Sequence, residues 1–493
     1  MIVRTLICVA IAALLAACTA ERGYRLTANY PDPKSWPTCD NDCAEDNSMW
    51  HHVSYEGKGA SRKENGAYIV STVEFDDQGW AQRPKQMLNL IQFLEDYQAA
   101  NKQHFIIVVY AHGWKHDARK ADPDLASFQN LLQDAHNAEL RRVKQMPLDK
   151  QKPRKVVGVY LSWRGASTDV AIAKEATFWA RKNAAERVGE NGAKELLIRL
   201  NEFKAFSNGQ EDDSRLAGPD ETQLIVIGHS FGGLLVYKAL NTQLMERALR
   251  RRVTGGDQIA KSFGDFVLLI NPAFEGAAYE TLFRVSQGYE PTRRKFDQKQ
   301  RPVMMVATST SDWATALMFP LGRFYTLDQS APQDEHNERT AVLKTVGHLP
   351  DYATHLLAWD KEREECVGQY YDLDKEIGTL GKLAEKSAAD DLRDAEFNLQ
   401  EVPRKYGCAS LYTRDNVVSR QPFYVVRVSP DVIPDHTTIN NPRFSHFIRQ
   451  FIGCEVTGLP ATATEQEKEQ CRQQLIPASA TTVIADPANL IFQ

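Results

Sequence analysis

The chain predicts an α/β fold: a mostly parallel central sheet with helices on both faces and helical insertions. Three observations carry that expectation. Short β-branched and apolar runs recur along the chain, and they are continuous rather than alternating, as in strands buried on both faces of a parallel sheet. Stretches with apolar residues at helical spacing separate them. One run passes through a glycine-flanked serine straight into a helical pattern, TQLIVIGHSFGGLL at 222–235. Alternating strands and helices build a parallel sheet because each crossover needs a connection of helical length. The 493 residues are enough for one large domain with insertions or for about two or three ordinary ones.

Taken in order, 67–75 (AYIVSTVEF) is β-branched and reads as the first strand. Residues 83–97 place Met87, Leu90, Ile91 and Leu94 on one helical face. The run HFIIVVY at 104–110 is a buried strand, and a helix follows over 124–143. KVVGVYLSW at 155–163 is the next strand, with helices near 169–187 and 193–206. A polar loop at 207–221 leads to the strand at 224–227 and a helix reaching about 250. FGDFVLLI at 263–270, VMMVA at 303–307 and FYVVRV at 423–428 complete the strands, and 443–452 closes with an amphipathic helix. Two charged intervals, 274–301 and 356–421, interrupt the rhythm and read as excursions from the core, the second of them helical. The main domain is therefore set at 66–453, with a lead-in at 18–65 and a tail at 454–493.

The N-terminus is a different kind of sequence. Residues 6–17 are almost uninterruptedly apolar, after a single charge at Arg4, and the stretch is short for a stable membrane span. Leu14-Leu15-Ala16-Ala17 precede Cys18, which resembles the lipobox of bacterial lipoproteins. The resemblance implies a signal peptide over 1–17, cleavage before Cys18 and lipid attached to that cysteine. A secretory signal followed by a chance cysteine is the alternative. In a cell with two membranes, Thr19 in place of aspartate points to an outer-membrane destination facing the periplasm over retention at the inner membrane. Beyond Cys8 and Cys18 six cysteines remain, Cys39, Cys43, Cys366, Cys408, Cys454 and Cys471, an even number that suits disulfides in an exported protein. The pairs nearest in sequence would each staple a local loop. Cys39 and Cys43 lack a matching second ligand pair, so a metal site is not expected. The formal net charge of −5 and the lack of a basic stripe exclude a general nucleic-acid binder.

The chemistry centres on Gly228-His229-Ser230-Phe231-Gly232. In G-x-S-x-G the flanking positions must be small because the turn is sharp and closely packed, and the serine hydroxyl stands clear of the sheet. A glycine-rich turn that serves only packing is the alternative. HFIIVVYAHGW, VVGVYLSWRG, LIVIGHSFGG, FVLLINPAFEG, VMMVATSTSDW and FYVVRVSPDVIPDH resemble, in that order, successive strand-and-loop motifs of the α/β-hydrolase superfamily, over roughly 66–350 and 420–453. The resemblance implies a nucleophile at Ser230 and an oxyanion hole from backbone N–H groups of Phe231 and of Trp114, with Gly113 next. The acid should follow a late strand. Asp312 does, with Glu275 as its rival, whereas Asp265 begins a strand and so lies at the wrong edge; a helix N-cap is the structural alternative for Asp312. The base should follow the last strand, where His436 stands; His348, His355 (read as entering a helix) and His446 compete. His229 and His112 read as bracing residues, and Asp435 as a turn residue.

These residues imply a membrane-anchored serine hydrolase that cleaves a small-molecule or lipid ester, thioester or amide without a cofactor. An acyltransferase on the same triad, or a non-catalytic envelope lipoprotein on the same scaffold, are the other readings. The two insertions are candidates for a lid.

Overall fold

The computed structural model describes, apart from single-residue gaps, residues 23–30, 48–53, 68–144, 152–165, 178–211, 215–249, 259–287, 296–320, 337–360, 398–457 and 463–473. The predicted signal peptide, Cys18, Cys39, Cys43 and Cys366 lie outside them. Among the described residues eleven strands form one sheet: β1 (Trp50–Val53), β2 (Tyr68–Phe75), β3 (Phe105–Ala111), β4 (Lys155–Trp163), β5 (Gln223–His229), β6 (Phe266–Ile270), β7 (Met304–Ser309), β8 (His355–Trp359), β9 (Arg404–Tyr406), β10 (Ala409–Thr413) and β11 (Phe423–Val428). Their order is β1-β2-β4-β3-β5-β6-β7-β11-β8-β10-β9. The run from β2 to β8 is parallel throughout. Only β1 against β2, and β10 against its two neighbours, are antiparallel.

The continuous apolar runs are explained by burial on both faces. In β3, Ile107 and Val109 join one core cluster while Ile106, Val108 and Tyr110 join the other. The first cluster lies under five helices: α1 (Pro84–Asn101), α3 (Phe178–Glu190), α4 (Gly192–Ser207), α5 (Phe231–Leu249) and α6 (Gly276–Gln287). The second lies under α2 (Pro123–Lys144) and α8 (Pro442–Phe451), and the short α7 (Asn337–Leu343) packs beside α6. Leu90, Phe93 and Leu94 of α1, and Phe128 and Leu132 of α2, face inward at the spacing the sequence shows. Close approach of α2 to β4 needs Gly158, where a Cβ would stand 2.3 Å from Leu132.

The described parts of the two charged intervals correct the reading of them as excursions. Residues 276–287 form α6, whose Tyr279 and Leu282 are buried in the core. The ends of 356–421 are strands, not helix, and extend the sheet as β8, β9 and β10. His355, read as entering a helix, begins β8 and stacks on Tyr424 at 4.1 Å. The lead-in is ordered where it is described: Glu74 accepts from the N–H groups of Tyr24 and Arg25, and Trp50 packs on Phe93 at 5.0 Å. The tail carries α9 (Glu465–Gln473), joined to the end of α8's extension by the Cys454–Cys471 disulfide. Cys408 is also disulfide-bonded, to a partner outside the described residues.

Candidate active site

β5 ends at His229, Ser230 turns the chain, and α5 starts at Phe231. Ser230 holds a left-handed backbone, φ 54°, a region few non-glycine residues enter. The turn is held because Ser230 donates its N–H to Ile270 O (3.0 Å) and its carbonyl accepts from Ala273 N (3.1 Å) and Leu234 N (3.2 Å). The flanking glycines are steric requirements. A Cβ on Gly232 would lie 2.0 Å from Ala111 O, and one on Gly228 2.6 Å from Gly232 O.

Three loops at the carboxyl edge of the parallel sheet meet here. Asp312 follows β7 and His436 follows β11, and those strands are neighbours in register, Ser309 opposite Val428. His436 Nε2 lies 2.9 Å from Ser230 Oγ, and His436 Nδ1 lies 2.9 Å from Asp312 Oδ2. The serine hydroxyl donates to Nε2, and the Nδ1 N–H donates to the carboxylate. Asp312 is fully buried. Burial pushes its carboxyl up, but hydrogen bonds from His436 and Thr315 outweigh that and hold its pKa below the usual carboxylate range. Its other oxygen, Oδ1, accepts from Ala314 N (3.0 Å) and Thr315 N (3.1 Å). Asp312 is therefore a helix cap through one oxygen and the partner of His436 through the other.

Residues around the trio fix its geometry. The His436 carbonyl accepts from His229 Nε2 at 2.9 Å and from Asn271 Nδ2 at 3.1 Å. A carbonyl can only accept, so His229 carries its proton on Nε2; burial and the neighbouring His436 depress its pKa to about 4. Asn271 sits at φ 43° just past β6, and its Oδ1 accepts from Ser309 N at 2.9 Å. It thereby ties the acid-bearing strand to the base-bearing loop. Ser309 Oγ donates to Ile433 O (2.6 Å) and Ser311 Oγ to Pro434 O (2.5 Å), a second pair of ties between the same segments. Thr315 Oγ1 donates to Asp312 Oδ2, so His348 Nε2, 2.9 Å from that hydroxyl, is itself a donor. Asn271, Thr315 and the role of His348 escape sequence reasoning. The signal for Asn271 was its place after a strand, since asparagine is among the few residues that tolerate φ above zero.

The rivals fall elsewhere. Glu275 pairs with Lys182 at 3.0 Å. Asp265 is paired with Lys204 at 3.0 Å and accepts from Leu224 N and Ala217 N at the amino edge. His348 reaches the acid's neighbour rather than the serine, and His446 lies within α8. Asp435 accepts from the backbone of Thr437 and Thr438, a turn role.

The loop after β3 flanks the serine. A Cβ on Gly113 would stand 3.0 Å from Ser230 Cβ. His112 is fully buried; its Nδ1 donates to Gly113 O (3.0 Å), and its Nε2 accepts from Trp163 N (3.3 Å) and faces Ser162 Oγ (3.1 Å). The loop is thus braced from beneath. Among the described residues neither the Trp114 nor the Phe231 N–H has a protein acceptor. The Trp114 and Phe231 rings both meet Phe178, with centroids at 5.1 and 4.8 Å. Beyond the loop, His116 Nδ1 lies 3.0 Å from Asp122 and its Nε2 3.9 Å from Asp124.

Among the described residues no cluster of His, Cys, Asp and Glu could hold a metal ion, and no helix is long and apolar enough to cross a membrane. No protein-family model, curated protein or solved structure matches the chain.

Proposed function

We propose that the protein is a serine hydrolase of the α/β-hydrolase superfamily that cleaves an ester, thioester or amide by two-step acyl transfer. The observation that carries this reading is the Asp312–His436–Ser230 relay, with both hydrogen bonds at 2.9 Å. His436 takes the Ser230 proton as the hydroxyl attacks the substrate carbonyl, and Asp312 keeps the imidazole in the Nδ1–H tautomer and stabilises its protonated form. The Trp114 and Phe231 N–H groups, with Gly113 allowing close approach, are the donors for the oxyanion; fixed before charge develops, they need no reorganisation. The acyl group passes to Ser230, the leaving group takes the proton from His436, and water attacks the acyl-enzyme by the reverse route. The aromatic wall made by Trp114, Phe178 and Phe231 beside those donors supports an apolar acyl group. The lipobox-like sequence ending at Cys18 supports a lipid anchor and a cell-envelope location.

A fluorophosphonate probe should label the full-length protein, and Ser230→Ala should abolish labelling and lower turnover of an activated ester by about 10⁴-fold or more. A wild type that is neither labelled nor active on any activated ester overturns the reading. A ladder of p-nitrophenyl esters reads the acyl preference: a strong preference for acetyl would sink the lipid-ester version.

A further inference from the structure

A cleft of about 360 Å³ opens at the amino edge of the sheet, beside Tyr424, the second residue of β11. Its distance from His436 is roughly that of β11 itself, about 20 Å for six residues. Nothing in the proposed chemistry uses it. Three arginines, Arg404, Arg420 and Arg472, and two glutamates, Glu455 and Glu465, line it.

The carboxylates are already committed. Glu455 is bound by Arg472 and by the Tyr406 hydroxyl, and Glu465 pairs with Arg420 at 3.0 Å. Arg404 is the cation left over. Its Nη1 donates to the Tyr424 hydroxyl at 3.2 Å and its Nη2 to His355 Nε2 at 3.0 Å. Both partners are neutral. The Thr354 hydroxyl lies 3.1 Å from Val425 O and donates to it, so the His355 proton sits on Nδ1, 2.8 Å from Thr354 Oγ1. Burial also holds the His355 pKa well below its ordinary value. Arg404 is half-buried and fixed, and its guanidinium lies over the Tyr424 ring at 5.5 Å; among the described residues no carboxylate bonds to it, and Glu455, held by Arg472 and Tyr406, acts on it only through space. A guanidinium has five N–H groups, so several remain for an outside acceptor. Gln421, also in the lining, is buried and its Oε1 has no hydrogen-bond donor. Three guanidinium groups against two carboxylates leave the cleft lining with an excess positive charge, which favours an anion from solution. The planar fork of arginine suits carboxylate and phosphate oxygens. Pro302, Val417 and Val418 supply an apolar wall.

We propose that this cleft is a second ligand site, separate from the catalytic trio, that binds a small organic anion by its carboxylate or phosphate head on Arg404. Calorimetry and thermal-shift assays on the full-length protein, with benzoate, phenyl phosphate and inorganic phosphate as probes, test it. Saturable binding at or below about 1 mM is expected for at least one organic anion, with inorganic phosphate weaker. Arg404→Gln should weaken binding at least tenfold, and Ser230→Ala should leave it unchanged. Ser419→Glu puts a negative charge at an exposed position of the rim, should weaken binding likewise, and replaces Arg404→Gln if that variant does not fold. No saturable binding by any probe, binding indifferent to Arg404→Gln or to Ser419→Glu, or binding lost in Ser230→Ala overturns the proposal. Because Ser230→Ala is inactive under the hydrolase reading yet keeps this site, the failure of one does not entail failure of the other.

Discussion

Asn271 joins three parts of the candidate site through one side chain, with Oδ1 on Ser309 N and Nδ2 on the carbonyls of Asp435 and His436. Its amide does not touch the serine, so its effect on catalysis runs through the position of His436. Asn271→Ala leaves the His436 carbonyl on His229 alone and frees the loop to shift. A misplacement of about 1 Å in a reacting group costs roughly 100-fold. The expected outcome is a fall in kcat of about 10- to 100-fold with KM little changed, while fluorophosphonate labelling persists at a slower rate. Labelling as fast as wild type would show that His229 suffices. Ser230, Asp312, His436 and the Gly113–Trp114 pair are legible in the sequence because each follows a strand whose apolar run is unmistakable. Asn271, Thr315 and His348 are not. They act by side-chain hydrogen bonds to segments far along the chain, and a linear pattern carries no record of which polar residue meets which.

The same contrast holds for elements. β2, β3, β4, β5, β6, β7 and β11 are readable because they are covered on both faces and consist of near-continuous apolar residues. β1, β9 and β10 lie at or next to the sheet edges, are short, and alternate or carry charge, so their composition resembles that of loops. β8, HLLAW, is apolar enough, but its histidine start and charged surroundings hide it. The amino edge depends on a buried ion pair. Lys204 of α4 and Asp265 before β6 are both fully buried at 3.0 Å, and Asp265 also holds Leu224 N of β5. Removing one partner leaves a carboxylate in the core without its counter-charge, which costs about 3–5 kcal/mol. Lys204→Ala should lower the unfolding free energy by that amount in a denaturant titration. A loss below 1 kcal/mol would mean that water replaces the ammonium.

At the scale of the whole molecule, one group links the candidate oxyanion loop to overall stability. Burial opposes a charge on His116, but Asp124 and Asp122 outweigh it and raise its pKa to about 9. A raised folded-state pKa means that the folded protein binds the proton more tightly than the unfolded chain. The stabilisation is therefore complete below about 6.5, the unperturbed value, and is lost as pH rises through 9. His116→Gln should destabilise the protein at pH 6, and the gap to wild type should close by pH 9.5, followed by denaturation midpoints across that window. A gap independent of pH would assign His116 a packing role only.

The sequence by itself determined the α/β class, the strand–turn–helix around Ser230 and the short set of acids and bases that could serve it. These are local consequences of burial, backbone sterics and connection length. The tertiary structure decided which members of that set meet. His436 and Asp312 lie 206 and 124 positions apart from their partners along the chain, and a parallel sheet brings them together because all its carboxyl ends share one edge. The same stacking gathered three arginines against two glutamates in a cleft at the opposite edge, a fact of packing that no run of residues announces.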